Sequence, residues 1–295
     1  MYKSMTVRDV LSYVDDNFDK GIDIDDITKR SGYSRRHIQV LLKQYIGIPI
    51  GLYIRKRRIT KASYLLRLTH THLIDISLKL GFDSQQSFSR EFKKATGFTP
   101  MQYRKNSTWD LSSLYSGLNL NEIMINSVQF FTLPEGYISG FHYNHVVSIP
   151  PERHSHISRL KIIFDKLIKG KKDIIALTDF MPNEDSITSL KVKTVIGLQN
   201  DVAGSSYNRC NYSAGTYVCF SFKFTPDDYA SYTRHIYMAL LPLYKLTRRP
   251  SPDIEIFHYN AESESSNAIE CTYYIPVEPP LGEEVLPRSS IMPLN

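Results

Sequence analysis

One stretch of this chain is used twice. SGYSRRHIQVLLKQYIG, residues 31–47, returns about fifty residues later as LGFDSQQSFSREFKKATGFTP, residues 80–100. Gly32 aligns with Gly81 and Tyr33 with Phe82. After one extra residue in the second copy, Ile38 aligns with Phe88, Leu42 with Phe92, Lys43 with Lys93 and Gly47 with Gly97. Self-similarity at a fixed offset means one supersecondary unit used twice. Each copy reads as an apolar helix, a glycine turn, and a second helix with a polar, basic outer face. That is helix-turn-helix logic, in which the second helix enters a major groove.

Charge follows the repeat. Residues 1–110 hold 20 Lys and Arg against 11 Asp and Glu, and residues 27–106 hold 17 against 3, while the remainder of the chain is net acidic by three. A basic block beside a mildly acidic one is the electrostatic footprint of nucleic-acid binding confined to one domain. A merely solvated, Lys-rich surface would carry the charge without the repeat. At 295 residues and 42% apolar content, two domains with ordinary cores are expected. No run of 18 apolar residues occurs, and the N-terminus has no apolar core of the kind a secretion signal needs, so no membrane partner is expected. Three widely spaced cysteines, Cys210, Cys219 and Cys271, argue for a reducing cytoplasm and against disulfides or zinc fingers.

The apolar spacing of Val7, Val10, Leu11, Val14 and Phe18 predicts a first helix, closed by Gly21. A short helix over 23–31 starts at Asp23 or Asp25. A third, N-capped by Ser34, buries Ile38, Leu41, Leu42 and Tyr45 and leaves Arg35, Arg36, Gln39, Val40 and Lys43 outside. Residues 51–68 suit a linking helix about 27 Å long, near the ~34 Å repeat of major grooves. Its Arg55, Lys56, Arg57, Arg58 and Lys61 suit phosphates. In the second unit, Gln85, Gln86, Ser89, Arg90, Lys93 and Lys94 form the outer face over Phe82, Phe88 and Phe92. Arg pairs bidentately with guanine and Gln with adenine, whereas Arg35, Lys43, Lys93 and Lys94 suit phosphates, which position without reading sequence.

Over residues 5–106 the chain resembles the AraC/XylS family of bacterial transcription regulators, most clearly through GFDSQQSFSREFKKATGFTPMQYR, and within it the MarA/SoxS/Rob subgroup. The resemblance implies an all-α domain of two homeodomain-like helix-turn-helix units, about 23–47 and 73–97. It implies binding of double-stranded promoter DNA as a monomer at an asymmetric site, and contact with RNA polymerase. Base contacts then fall to Arg36, Gln39 and Val40 in the first unit and to Gln86, Ser87 and Arg90 in the second. The subgroup has Trp where Arg36 stands and Arg where Val40 stands, so first-half-site preference departs from its pattern.

A polar stretch, 107–125, reads as a linker holding Trp109, and from 126 the pattern turns to strands and helices. Strands are expected at 128–133, 138–145, 174–177, 192–198, 216–224, 254–259 and 269–276, with helices at 155–169 and 227–246. Two successive strand–strand–helix–strand runs suggest an α+β domain with internal pseudo-symmetry. LLPLYKLTRRPSPDIEIFHYNAE (240–262), SAGTYVCFSF (213–222) and CTYYIPVE (271–278) resemble the GyrI-like family of small-molecule binding modules, over about 126–278. A groove for a small amphipathic effector would draw on Tyr137, Tyr143, Tyr217, Phe222, Tyr273 and Tyr274, although aromatics are common in strands in any case. Cation-binding GyrI-like relatives carry a Glu where Thr272 stands; Glu270 is the nearest acid, so neutral or anionic effectors are equally open.

The Pro-rich residues 279–295 read as a disordered tail. His142, His145, His154 and His156 lack metal-ligand spacing, and no phosphate-loop, dinucleotide or hydrolase-elbow motif occurs, so no metal or cofactor is expected. The leading expectation is therefore a cytoplasmic, nucleoid-associated bacterial regulator, an activator of stress or multidrug-resistance promoters, and not an enzyme. The alternatives are a hydrolase in the C-terminal domain, for which Glu255 and Glu270 are the candidate acids, and a low-specificity nucleoid protein.

Overall fold

The computed structural model describes residues 6–116, 123, 125, 127–149, 155–187, 189–199, 208–261 and 267–279. The expected tail, apart from Pro279, and part of the expected linker lie outside these residues, as does His154. Seven helices come first: α1 (Val7–Asn17), α2 (Ile24–Ser31), α3 (Arg35–Ile46), α4 (Ile50–Leu68), α5 (Leu73–Lys79), α6 (Gln85–Thr96) and α7 (Pro100–Lys105). The sequence repeat becomes a structural one. Helices α3 and α6 are each 12 residues long; Ser34 and Ser84 cap their starts, and Gly47 and Gly97 end them at φ 80° and 78°. That left-handed conformation is open to glycine at little cost, which fixes where each helix stops. Asp23, not Asp25, caps α2 and forms a reciprocal pair with Asp26. Tyr45, expected in the core, is 58% exposed.

The second half is an eight-stranded antiparallel sheet with helices on one face. In chain order it runs β1 (Trp109–Asp110), β2 (Ser127–Leu133), β3 (Gly136–Ser148), α8 (Ile157–Gly170), β4 (Ile174–Pro182), β5 (Ser189–Gln199), β6 (Asn208–Tyr212) and β7 (Gly215–Phe224). Helix α9 (Tyr229–His235), a π-helical segment (Ile236–Leu240) and α10 (Leu241–Leu243) follow. Then come β8 (Thr247–Arg248), β9 (Asp253–His258) and β10 (Ile269–Pro276). The sheet order β2-β7-β10-β9-β4-β5-β3-β6 makes the expected pseudo-symmetry visible. In one half β3 pairs with β5 and β5 with β4; in the other, β7 pairs with β10 and β10 with β9; β4 and β9 join the halves. The leading strands are exchanged: β2 borders β7, and β6 borders β3.

Strand side chains alternate faces, so the sheet has two apolar layers. One face packs Phe220, Phe222, Tyr273 and Phe257 against the helices. The other packs Tyr217, Cys219, Ile254, Ile256 and Tyr274 against one another. The first of these cores runs on without a break into the helical half, through Tyr64, Leu65, Phe88, Phe92 and Tyr103. The first helix-turn-helix unit has a core of its own, built on Leu11, Val14, Ile27, Ile38, Leu42 and Tyr53. The expected linker is tied down where it is described. β1 pairs with β8, Leu111 donates to the Leu246 carbonyl at 3.1 Å, and Thr60 Oγ1 donates to the Tyr115 carbonyl at 3.1 Å. No helix among the described residues is long and apolar enough to cross a membrane.

Candidate nucleic-acid interface and interdomain cavity

The amphipathic pattern of α3 and α6 decides what each presents. Ile38 and Leu42, and Phe88 and Phe92, are fully buried. That leaves Arg35, Arg36, Gln39, Val40 and Lys43 exposed on α3, and Gln86, Arg90, Lys93 and Lys94 exposed on α6. Val40 is 51% exposed. Ser87 and Ser89 are half-buried; the Ser87 N–H donates to Ser84 Oγ at 3.1 Å as part of the cap. Arg35 pairs with Asp25 at 3.0 Å in open solvent, where such a pair is worth little, and Arg55 with half-buried Glu91 at 3.6 Å.

Three of the expected phosphate-binding cations are not on this surface. Arg57 and Lys61 lie buried along the inner stripe of α4, where Arg57 pairs with Asp15 at 3.2 Å and Lys61 with Asp19. Arg58 is half-buried and donates to the carbonyls of Phe18 (2.7 Å), Ile22 (3.3 Å) and Gly81 (3.3 Å). It thereby ties the loop of the first unit to the turn of the second. These three side chains are structural ties, because a cation already matched to a carboxylate or carbonyls has no free charge to offer.

A cavity of about 770 Å³, mouth included, lies where α4 meets the sheet. Lys61, Tyr64 and Leu68 of α4 form one wall, and Val147, Phe180, Leu190 and Val192 of the sheet another. Tyr237 and Met238 of the π segment close it, with Trp109 between. The π segment is also where the two halves are joined. Tyr64 Oη donates to the Tyr237 carbonyl and Arg57 Nη1 to the Met238 carbonyl (3.4 Å). The Trp109 ring stands 4.9 Å from Tyr64 and 6.0 Å from Tyr237. Single π turns inside helices are frequent at functional sites.

Two carboxylates lie fully buried beside the cavity, at alternate positions of β9. Glu255 accepts from Arg159 Nη1 (2.6 Å) and Nη2 (3.0 Å), from Thr178 Oγ1 (2.6 Å) and from Tyr229. Burial pushes its pKa up, but the Arg159 charge and these hydrogen bonds outweigh burial, and the net shift is downward. Asp253 accepts from Arg248 Nη2 (2.8 Å), Tyr273 Oη (2.8 Å) and Tyr237. For Asp253 burial prevails over Arg248, and its pKa is raised. His145 and His156 face each other at 3.1 Å; burial and the nearby Arg159 charge push His145 down to about 4 and His156 well below its usual range, so both are neutral.

Residues 27–106 match the model of a helix-turn-helix domain, and residues 161–278 that of a GyrI-like small molecule binding domain. The F1 operon positive regulatory protein of Yersinia pestis is 35% identical over 279 residues, covering 94% of this chain and 89% of that protein. The transcriptional regulator Rob of Salmonella typhimurium is 28% identical over 283 residues, 92% of this chain and 97% of Rob. The transcriptional activator AarP of Providencia stuartii is 39% identical over 107 residues, 36% of this chain and 79% of AarP. This chain belongs to the AraC-type transcriptional regulators that carry a GyrI-like domain.

In this AraC-type regulator the aromatics expected to line an effector groove do not line the cavity, apart from Tyr273. Tyr217 and Tyr274 are core on the opposite sheet face. Phe222 stacks on Tyr232 at 4.8 Å, and Tyr143 packs at the edge of the main core beside His145. Tyr137 is covered by Arg209, 4.2 Å above its ring. Glu270 is exposed, and Thr272 is hydrogen-bonded to His258 Nε2 at 2.7 Å. On β10 the reason is one of parity: 270, 272 and 274 lie on the face away from the helices, and of the residues expected in the groove only 273 lies on the helix side. Of the two candidate acids Glu255 is buried and Glu270 exposed, and a second buried acid, Asp253, was not expected. Acids at alternate positions of the otherwise apolar strand DIEIF were the available signal, since buried charges are rare unless matched. Nothing in the sequence marked Lys61, Tyr64, Leu68 or Trp109 as cavity walls. Among the described residues no group of three or more His, Cys, Asp or Glu is placed to hold a metal.

Proposed function

We propose that the chain activates transcription by binding, as a monomer, an asymmetric promoter site through α3 and α6, with its GyrI-like half responding to a small molecule. The observation that carries this reading is the matched pair of exposed basic faces on two identically capped helices. Arg36, Gln39 and Val40 on α3 and Gln86, Ser87 and Arg90 on α6 read base edges, and Arg35, Lys43, Arg55, Lys93 and Lys94 hold phosphates. The relatives' printed roles as a positive regulator and an activator favour activation, which calls for RNA polymerase as a second partner. The test is selection of bound duplexes from a random pool, followed by gel shifts at several salt concentrations. Two conserved blocks separated by about one helical turn, ~10–10.5 base pairs, are expected. Recovery of a single block, of a palindrome bound by two copies, or of no preference would overturn the monomeric two-groove reading.

A further inference from the structure

The GyrI-like half is read above as binding a small molecule; the cavity between α4 and the sheet says where, and what kind. Its surface is almost wholly carbon, although Lys61, Arg159, Arg234, His156, two threonines and four tyrosines contribute to it. Apart from that of Arg234, the polar ends of those side chains are committed elsewhere. The Lys61 ammonium is on Asp19, and Arg159, Thr178 and Tyr229 are on Glu255. Tyr237 and Tyr273 are on Asp253, and Tyr64 is on the Tyr237 carbonyl. What they turn inward is rings and alkyl stems. Both buried carboxylates are already matched by arginines, so a cation finds no unmatched acid there, and Lys61 and Arg159 are equally closed to an anion. A charged head entering this space would lose its hydration, and Arg234, the half-buried lining cation not held by an acid, shows the space carbon and not its guanidinium.

We propose that this cavity is the effector site, that its occupant is an uncharged, largely apolar small molecule, and that α4 of the DNA-binding half forms one wall of it. The occupant therefore touches the helix that joins the two recognition units, through Tyr64 and Leu68, and the π segment to which that helix is hydrogen-bonded.

The chain reports on this site by itself, because Trp109 is its single tryptophan and lines the cavity. Full-length protein is titrated, without DNA, with 1-decanol, decanoate and decyltrimethylammonium below their micelle thresholds, following Trp109 emission and, independently, heat of binding. Decanol is expected to shift the emission and to bind roughly tenfold or more tightly than either ion. Val192→Phe, which fills the cavity from the sheet, and Leu68→Phe, which narrows it from α4 at a less buried position, should each weaken decanol binding roughly tenfold with circular dichroism unchanged. If Val192→Phe fails to fold, Leu68→Phe carries the comparison alone. Equal or tighter binding of an ion overturns the chemical class. Loss with Val192→Phe but none with Leu68→Phe places the site in the GyrI-like half alone and overturns the shared wall. No emission change and no heat with any probe overturns the site. Since no arm uses DNA, a failed duplex selection leaves these outcomes standing, and a successful one does not rescue them.

Discussion

Arg90 and Lys93 sit three residues apart on the same exposed helix face, yet they should behave differently when removed. A side chain that reads a base edge loses ~1–3 kcal/mol at one base position when truncated, whereas a phosphate contact weakens every sequence alike. Arg90→Ala is therefore expected to relax one position of the selected site, and Lys93→Ala to lower affinity uniformly and flatten its salt dependence by about one ion. Quantitative gel shifts on matched and mismatched duplexes separate the two. The histidines beside Arg159 make a second prediction. His145 and His156 titrate below their unfolded value in the folded chain, so between pH 6.5 and about 4 the unfolded state binds more protons. Their contribution is complete above about pH 6.5 and is lost as pH falls toward 4. His235, lowered by burial, acts in the same direction, and Asp253, raised by burial, in the opposite one. The urea midpoint should drop across that window, and His145→Gln should make the drop shallower. At this scale the sequence was a partial guide. It marked Arg36, Gln39, Val40, Gln86 and Arg90 as outward correctly, but it placed exposed Tyr45 in the core and could not separate Arg55, which is exposed, from Arg57, which is buried. That difference depends on Asp15 and Asp19, some forty residues away, being brought alongside α4.

Helices α3 and α6 were legible because cap, apolar stripe and terminal glycine all recur at the same offset and agree with one another. The strands were legible in position, from β-branched and aromatic runs, and illegible in facing. Period-2 alternation says that neighbours differ, not which of them turns toward the helices. In β10, three of four candidates were accordingly assigned to the wrong side. The π segment carried no signal, since its sequence, IYMAL, reads as ordinary helix. Two glycines test the sheet's register. Gly140 and Gly197 are cross-strand partners in β3 and β5, and a Cβ on Gly197 would lie 2.0 Å from the Ser139 carbonyl oxygen. Gly197→Ala must push the strands apart and should cost ~1–3 kcal/mol, read as a lower denaturation midpoint. A midpoint equal to the parent's would mean that β3 and β5 are not paired as described.

The two halves of the chain, distinct in composition and charge, do not correspond to two separate cores. The second helix-turn-helix unit shares its core with the sheet, while the first is packed on its own cluster and held by the Arg57, Arg58 and Lys61 ties. Regions packed on fewer long-range contacts open at lower free energy. Backbone amides of α1 to α3 should therefore exchange with deuterium faster than those of α5 to α7 and the central strands. Equal protection in both units would count against separate cores. No composition or charge argument could have found this division, because it depends on which helices the sheet happens to cover.

If an effector raises DNA affinity by some factor, bound DNA must raise effector affinity by the same factor. The rings of Tyr64, Trp109 and Tyr237, which line the cavity beside α4, give that reciprocity a path. The uneven anchoring of the two units has a consequence for operators too. The reader fused to the sheet is held in the main core, whereas the other rests on a smaller cluster of its own and is expected to give first. Promoters that differ by one base pair in the gap between their blocks would then be served by a single molecule, which stretches on one side only.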